Sequence, residues 1–357
     1  MPLVTPLHAA HLKMGARMVE FAGYDMPVQY SSIIAEAKAV REGAGMFDVS
    51  HMARLTFTGT ATLAYLQSCT TNDVDKLEDG HGQYSILPNA QGGAVDDIIV
   101  YRVSTAEYRL VVNADNHAKD VAHFRSLLPA AVEMIDNTDQ TAMVAVQGPT
   151  AAAIVASLSD NATAVRDIPF FSILDVQVAG VPCFAARSGY TGEDGYELVC
   201  SAQDAEKLWW ALSEAGVAAC GLGSRDTLRV EAGLPLYGHE LSDDMSPLWA
   251  GLGWVISKTK DFVGSQHYAA EREAGIRKKL LGIKMDGRRI PPIGAEVTVD
   301  GSVAGTVTSG VFSPMLGCGI GFALVGSTYK VDTPCAVDVR GQQETGCFVN
   351  KRFFKRA

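Results

Sequence analysis

The chain has no C-x-x-C pair. Its seven cysteines, at positions 69, 183, 200, 220, 318, 335 and 347, are scattered and odd in number. That pattern speaks against a disulfide framework or a zinc site and fits reduced thiols in a cytosolic protein. Long apolar runs are also missing: Ala142–Val146 and Val176–Phe184 fall far short of a membrane span, and the N-terminal residues lack the apolar core of a secretory signal. The expected location is therefore the cytoplasm, with no membrane partner. Basic residues are in deficit, 30 Lys and Arg against 40 Asp and Glu, a formal charge of −10. Phosphate surfaces repel such a chain, so a general nucleic-acid binder is excluded, although a local basic cleft is not. Phosphate-loop, dinucleotide-fingerprint and G-x-S-x-G signatures are absent. His8 and His11 lack a third ligand at a supporting spacing, and the segment reads as an exposed N-terminal helix.

What is present is a chain of 357 residues, 47% hydrophobic and 20% charged, long enough for two or three domains with real cores. Helical spacing of Ile33, Ile34, Ala37 and Val40, with a serine cap and Gly43 behind, predicts a helix over 31–43. Strand patterns follow at 53–58, 83–89, 94–103 and 107–113, with helices over 60–69 and 116–128. A second set begins with a strand at 141–148, a helix at 149–158, a hairpin turning at Ala179-Gly180, a strand at 196–201 and an amphipathic helix at 204–214. Two successive units of antiparallel strands and helices read as a pair of ferredoxin-like α+β halves. Beyond residue 276 the chain is glycine-rich with short strands at close spacing, the pattern of a small β-barrel. The expected division is residues 1–52 with 136–275 as a discontinuous first domain, 53–135 as a second, and 276–357 as the barrel.

Three segments carry unusual chemistry. In GGAVDDIIV (92–100), Asp96 and Asp97 sit inside an otherwise apolar strand, where an acid is costly unless paired, solvated or functional. Alternation sends the two side chains to opposite faces, so they are not expected to act as one dyad, and periodicity does not say which of them meets a cleft. The loop RSGYTGEDGYEL (187–198) has glycines that let backbone approach a ligand, flat faces at Tyr190 and Tyr196, and Glu197 as a two-oxygen acceptor. That acceptor suits a guanidine-like ring edge with parallel N–H donors, as in pterins and guanines. In GLGSRDTLRVEAGLPLYGHE (221–240), a helix is expected from about Ser224, with intrahelical ion pairs among Arg225, Asp226, Arg229 and Glu231. An arginine at a helix start opposes the dipole, which marks Arg225 for another purpose.

Together with GARMVEFAG (15–23), MPVQY (26–30), GMFDVSHM (45–52), TNDV (71–74), LYGHEL (236–241) and TSGVFSP (308–314), these motifs resemble the glycine cleavage system T-protein family, in order along nearly the whole chain. The resemblance implies a cloverleaf of three domains around a central folate site. It implies aminomethyl transfer from the lipoyl arm of an H-protein to tetrahydrofolate, with release of ammonia and no metal. It maps the catalytic acid onto Asp96, folate binding onto Glu197 and Arg225, and the remaining folate-site positions onto Tyr84, Asn113, Tyr190 and Tyr237. Trp249, Phe354 and Tyr24 depart from the family's usual Glu, Tyr and Trp. Two other readings stay open: a tetrahydrofolate-dependent demethylase of a small methylated donor, and a folate-binding regulatory relative, against which the complete GGxVDD and GYTGEDG motifs speak.

Overall fold

The computed structural model describes residues 1–356. The expected helix runs Ile33–Glu42. Ser32 caps it by accepting from the Ala35 N–H at 3.2 Å, and Ala37 and Val40 are fully buried. The strand Ala53–Thr58 joins His81–Pro88, Ala94–Ser104, Glu107–Val112 and Glu133–Asp136 in an antiparallel five-stranded sheet. Gly45–Asp48 instead belongs to a six-stranded sheet whose other members begin at Thr141. Six strands between Lys278 and Val349 close a barrel. The chain is thus α+β with a terminal β-barrel, as its patterning indicates. Among the described residues no helix is long and apolar enough to cross a membrane.

Several elements escape the pattern. The hairpin of Arg17–Phe21 with Tyr24–Gln29 is half-exposed throughout most of its length and shows little apolar alternation. The strand Gln342–Val349, which seals the barrel against Lys278–Met285, is polar in its first half and buries only part of its second. The helix expected from Ser224 begins at Leu222, because Gly221 donates its N–H to Glu36 Oε2 at 2.9 Å. His11 is not on an exposed helix face. It is fully buried, bonded to Asp48 Oδ2 at 2.9 Å and to the Tyr30 hydroxyl at 2.8 Å.

The two sheets pack through one face each. Odd residues of Ala94–Ser104, Ile99 and Tyr101, meet Phe47, Met143, Ala145 and Ala186 of the larger sheet, while even residues Ile98 and Val100 pack under the helices Thr62–Cys69 and His117–Leu127 with Leu66 and Phe124. Period-two alternation therefore assigns one side of this strand to the centre of the molecule and the other to a helical layer.

The helix Leu222–Ala232 packs against the helix Ile33–Glu42, the strand Tyr24–Gln29 and the barrel. Its Val230 packs on Leu280, Ile320 and Phe322 of the barrel. Its Arg229 is buried and pairs with Glu240 at 3.0 Å, Ser309 Oγ at 2.7 Å and Asp226 at 2.8 Å. Only the Asp226 contact is the intrahelical pair expected; Glu231 instead accepts from Arg41 at 2.8 and 3.0 Å and from Ser313 Oγ. Arg41 reaches Glu193 at 2.9 Å as well, and its guanidinium lies 4.1 Å from the Phe354 ring centroid. Phe354 thus spends its ring on an arginine.

Breaking a buried pair leaves an uncompensated charge, whereas an exposed pair contributes little. Glu231→Gln is therefore expected to lower unfolding free energy by about 3–5 kcal/mol. Asp194→Asn, which breaks the partly exposed pair with Arg187, should cost about 1 kcal/mol or less. Denaturant titration of both variants checks this, and equal losses would contradict the role given to the buried cluster.

Candidate active site

The turn before the Asp96–Asp97 strand has no room for side chains. Gly92 has φ +80°, and a Cβ on Gly93 would collide with the Asp243 carbonyl. Ala94 N–H donates to Ser242 O at 2.9 Å, so the strand enters locked against residues 242–243.

Asp96 lies on the helix-facing side and has no exposed surface. Its Oδ2 accepts the Asn113 backbone N–H at 2.8 Å; its Oδ1 accepts the Asn113 side chain at 2.8 Å and the Asn116 side chain at 2.6 Å. Asp97 lies on the central face and keeps part of its surface accessible. Its Oδ2 accepts the Tyr84 hydroxyl at 2.8 Å and its Oδ1 accepts Asn113 Nδ2 at 2.8 Å. The two hydrogens of one amide thus go to two carboxylates. Alternation separates the two acids onto opposite faces, and they are linked through an amide: Asn113, at the end of the next strand, reaches both. Burial, then the Asp96 charge, pushes the Asp97 pKa up to about 7.

The other expected residues gather on the same central face. The Tyr84 ring stacks on Trp254 at 6.1 Å and 24°, with Trp254 70% exposed. Tyr190 is held by a hydrogen bond from its hydroxyl to Pro235 O. The Arg225 guanidinium sits 5.0 Å from the Tyr190 ring centroid, and its Nη1 is buried without a partner. Glu197 is buried, accepts from Ser188 Oγ at 2.6 Å, and has its pKa raised by burial against the opposing effects of Ser188 and Arg225. Ser188 also meets the Tyr101 hydroxyl at 3.1 Å. The glycine loop can take this course because a Cβ on Gly189 would strike the Gln147 side chain. Tyr237 stands to one side, accepting from Lys119 Nζ at 2.6 Å and donating to Asp243 at 2.9 Å.

Tyr196 does not offer its face to this region. It is fully buried in the core of the larger sheet, its alternation partner being Leu198 and its hydroxyl reaching Val165 O. Trp249 is engaged elsewhere, donating to Glu271 at 2.6 Å. Sequence reasoning missed His51, Trp254, Ser188 and the acid Asp120. His51 is buried with an unpartnered Nδ1, and burial lowers its pKa to about 4. The spacing of Asn116 and Asp120 is a usable signal, since positions four apart at a helix start share a face. Two surface grooves of about 410 Å³ lie elsewhere, one beside Arg109 and Phe184, the other beside Thr5 and Tyr24, and neither includes these residues.

A near-neutral carboxyl, a buried carboxylate acceptor, a guanidinium with one buried unpartnered nitrogen and three aromatic rings lie together on one face, a candidate site. Residues 7–260 match the GCVT N-terminal domain, and residues 278–355 match the glycine cleavage T-protein C-terminal barrel domain. The aminomethyltransferase of Thermus thermophilus is 46% identical over 95% of this chain and 95% of its own length; that of a Geobacillus species is 43% identical over 99% of each. The crystal structure of glycine cleavage system aminomethyltransferase T from Bartonella henselae superposes with a TM-score of 0.92 at 30% identity, covering 99% of both chains. The fold is that of the aminomethyltransferases, a class of transferase. The chain belongs to the glycine cleavage T-protein family, the aminomethyltransferases.

A carboxyl whose pKa is raised on folding stabilises the protein fully below its unfolded value near 3.8, and that contribution is lost as pH rises through about 7. Asp97→Asn cannot ionise. It should melt above the parent by roughly 2–4 °C or more at about pH 8, with the gain shrinking as pH falls and gone only below about pH 4. Calorimetric scans at both pH values read this directly; a gain that does not depend on pH would show that Asp97 is not the titrating group.

Proposed function

We propose that the central face binds tetrahydrofolate and that the protein moves a one-carbon unit to it from the aminomethylated lipoyl arm of an H-protein, with release of ammonia. In that reaction the transferred carbon loses its bonds to sulfur and to the amino nitrogen and gains two bonds to folate nitrogens. The two protons released by folate leave with the thiol and the ammonia. A group that takes and returns protons near neutral pH is what the step requires.

The observation that carries this reading is the position of Asp97: a carboxyl with a near-neutral pKa, held by Tyr84 and Asn113 on the accessible face. We therefore assign the proton-transfer role to Asp97, in place of the Asp96 expected from the resemblance. Asp96 has no exposed surface, and all its hydrogen bonds face inward. Glu197 supplies two acceptor oxygens for the pterin N–H edge. Arg225, unpaired and buried against Tyr190, supplies positive charge for an acidic portion of the ligand. Tyr84 and Trp254 form a stacked aromatic wall beside Asp97.

Tetrahydrofolate should raise the melting temperature with the logarithm of its concentration, and no shift at saturation would remove the folate reading. Glu197→Gln should weaken binding by about 1.5–3 kcal/mol, the worth of a charged hydrogen-bond pair; unchanged affinity would make Glu197 a structural residue of its hairpin.

Asp97→Asn should leave folate affinity nearly intact and lower single-turnover transfer from aminomethylated H-protein by about 100-fold or more. Near-parental transfer in this variant, with transfer lost in Asp96→Asn, would return the role to Asp96.

A further inference from the structure

Behind Asp96, on the helix His117–Leu127, stands a third carboxyl. Asp120 has no exposed surface, and neither of its oxygens has an N–H or O–H donor. It stands one turn into the helix from the N-cap Asn116, whose amide donates to Asp96 Oδ1 at 2.6 Å, and the Asp96 charge, after burial, raises the proton affinity of Asp120. Two buried carboxylates coupled in this way, with no cation between them, do not both ionise, so the pair holds one proton. The donors decide where that proton sits. Asp96 accepts three N–H groups, from the Asn113 backbone, the Asn113 amide and the Asn116 amide, which favour its ionised form. Asp120 accepts none. The proton therefore belongs to Asp120.

We infer that Asp120 is a positioning residue for the transfer reaction: a neutral buried acid whose O–H donates to ionised Asp96, fixing the Asn113 amide that spans Asp96 and Asp97. The assignment of the reacting carboxyl rests on the function proposed above; the protonation of Asp120 does not. Asp120 does not face the ligand. It acts through Asp96, whose negative charge is second only to burial in raising the proton affinity of Asp97. Other groups act on this set as well: Lys119 on the same helix, Tyr84 on the neighbouring strand, Tyr190 on the glycine loop, and Tyr237 with Asp243 across from Lys119. Lys119 is committed to Asp243 and Tyr237, which leaves no cation to replace the shared proton.

Two variants separate the possibilities. Asp120→Asn keeps a donor to Asp96 and cannot ionise, so it imitates the neutral acid. Asp120→Ala removes the donor and admits water beside Asp96. The first readout needs no substrate. At about pH 8.5, above the Asp97 midpoint, the infrared spectrum of the parent should retain a protonated-carboxyl stretch that both variants lose. The second is the pH profile of single-turnover transfer. Its Asp97 limb should fall by about half a unit or more in Asp120→Ala, since water and a partly protonated Asp96 both lower Asp97's proton affinity, and return to the parental midpoint in Asp120→Asn.

An infrared spectrum without that band, or a limb displaced in Asp120→Asn, would overturn the inference, as would an unmoved limb in Asp120→Ala. If Asp120→Ala does not fold, the band and the Asp120→Asn limb decide alone. A parent that carries the band but transfers nothing from H-protein to tetrahydrofolate would sink the proposed function and leave the protonation of Asp120 standing.

Discussion

One buried guanidinium, that of Arg41, ties together more of the chain than any strand pairing does. It binds Glu231 on the Leu222–Ala232 helix and Glu193 in the glycine loop, and it carries the Phe354 ring on its face. Without its charge, Glu231 would sit buried with only the Ser313 hydroxyl as a side-chain donor, at a cost of several kcal/mol, whereas Glu193 would keep Arg356. The same helix sends Arg229 to Glu240 and the barrel, and Arg225 to the central face. Three arginines on or against one helix thus serve three ends: Arg41 and Arg229 are fully paired and structural, and Arg225 is left without a partner. That contrast is the electrostatic ground for treating Arg225 as a ligand-binding group, because its Nη1 is buried without a hydrogen-bond acceptor, a cost that a bound acceptor would remove.

The central face follows the same logic with carboxyls. Asp96, Asp97 and Asp120 occupy neighbouring positions with two asparagines but no arginine among them. Amides orient carboxylates and lower their proton affinity less than a full cation would, so burial still holds Asp97 well above the usual carboxylate range. An arginine in place of Asn113 would satisfy both acids and hold them ionised at every physiological pH. The amide leaves Asp97 able to take and give a proton near neutral pH, which suits a reaction that moves protons and needs no permanent charge at the carbon being transferred.

The sequence was most legible where periodicity and turn chemistry act alone. The Ala53–Thr58 strand, the hairpin at Ala179-Gly180 and the barrel's glycine-rich strands are local patterns with local causes. The face of the molecule met by each acid was not legible, because both faces of the Ala94–Ser104 strand are apolar: one meets helices, the other a second sheet. A two-sided strand gives no solvent reference for its alternation. Tyr196 misled for a related reason, since its glycine neighbours suggest a loop while its register against Val146 places it in a core strand. The Gln342–Val349 strand escaped notice because barrel closure, a long-range pairing with Lys278–Met285, stabilises a segment whose own residues are largely polar.

The strand order also bears on how the chain is made. The five-stranded sheet draws only on residues from Ala53 to Asp136, so every one of its pairings is available once that stretch has been synthesised. Gly45–Asp48 precedes it but pairs with Thr141–Gln147 and Ala218–Ala219. On a ribosome the smaller sheet is complete at Asp136, and Thr141–Gln147 follows within a few residues to pair with one edge of Gly45–Asp48. Its other edge waits for Ala218–Ala219, so an intermediate chain carries a strand edge with Met46 and Phe47 paired on one side only, the kind of surface that chaperones capture.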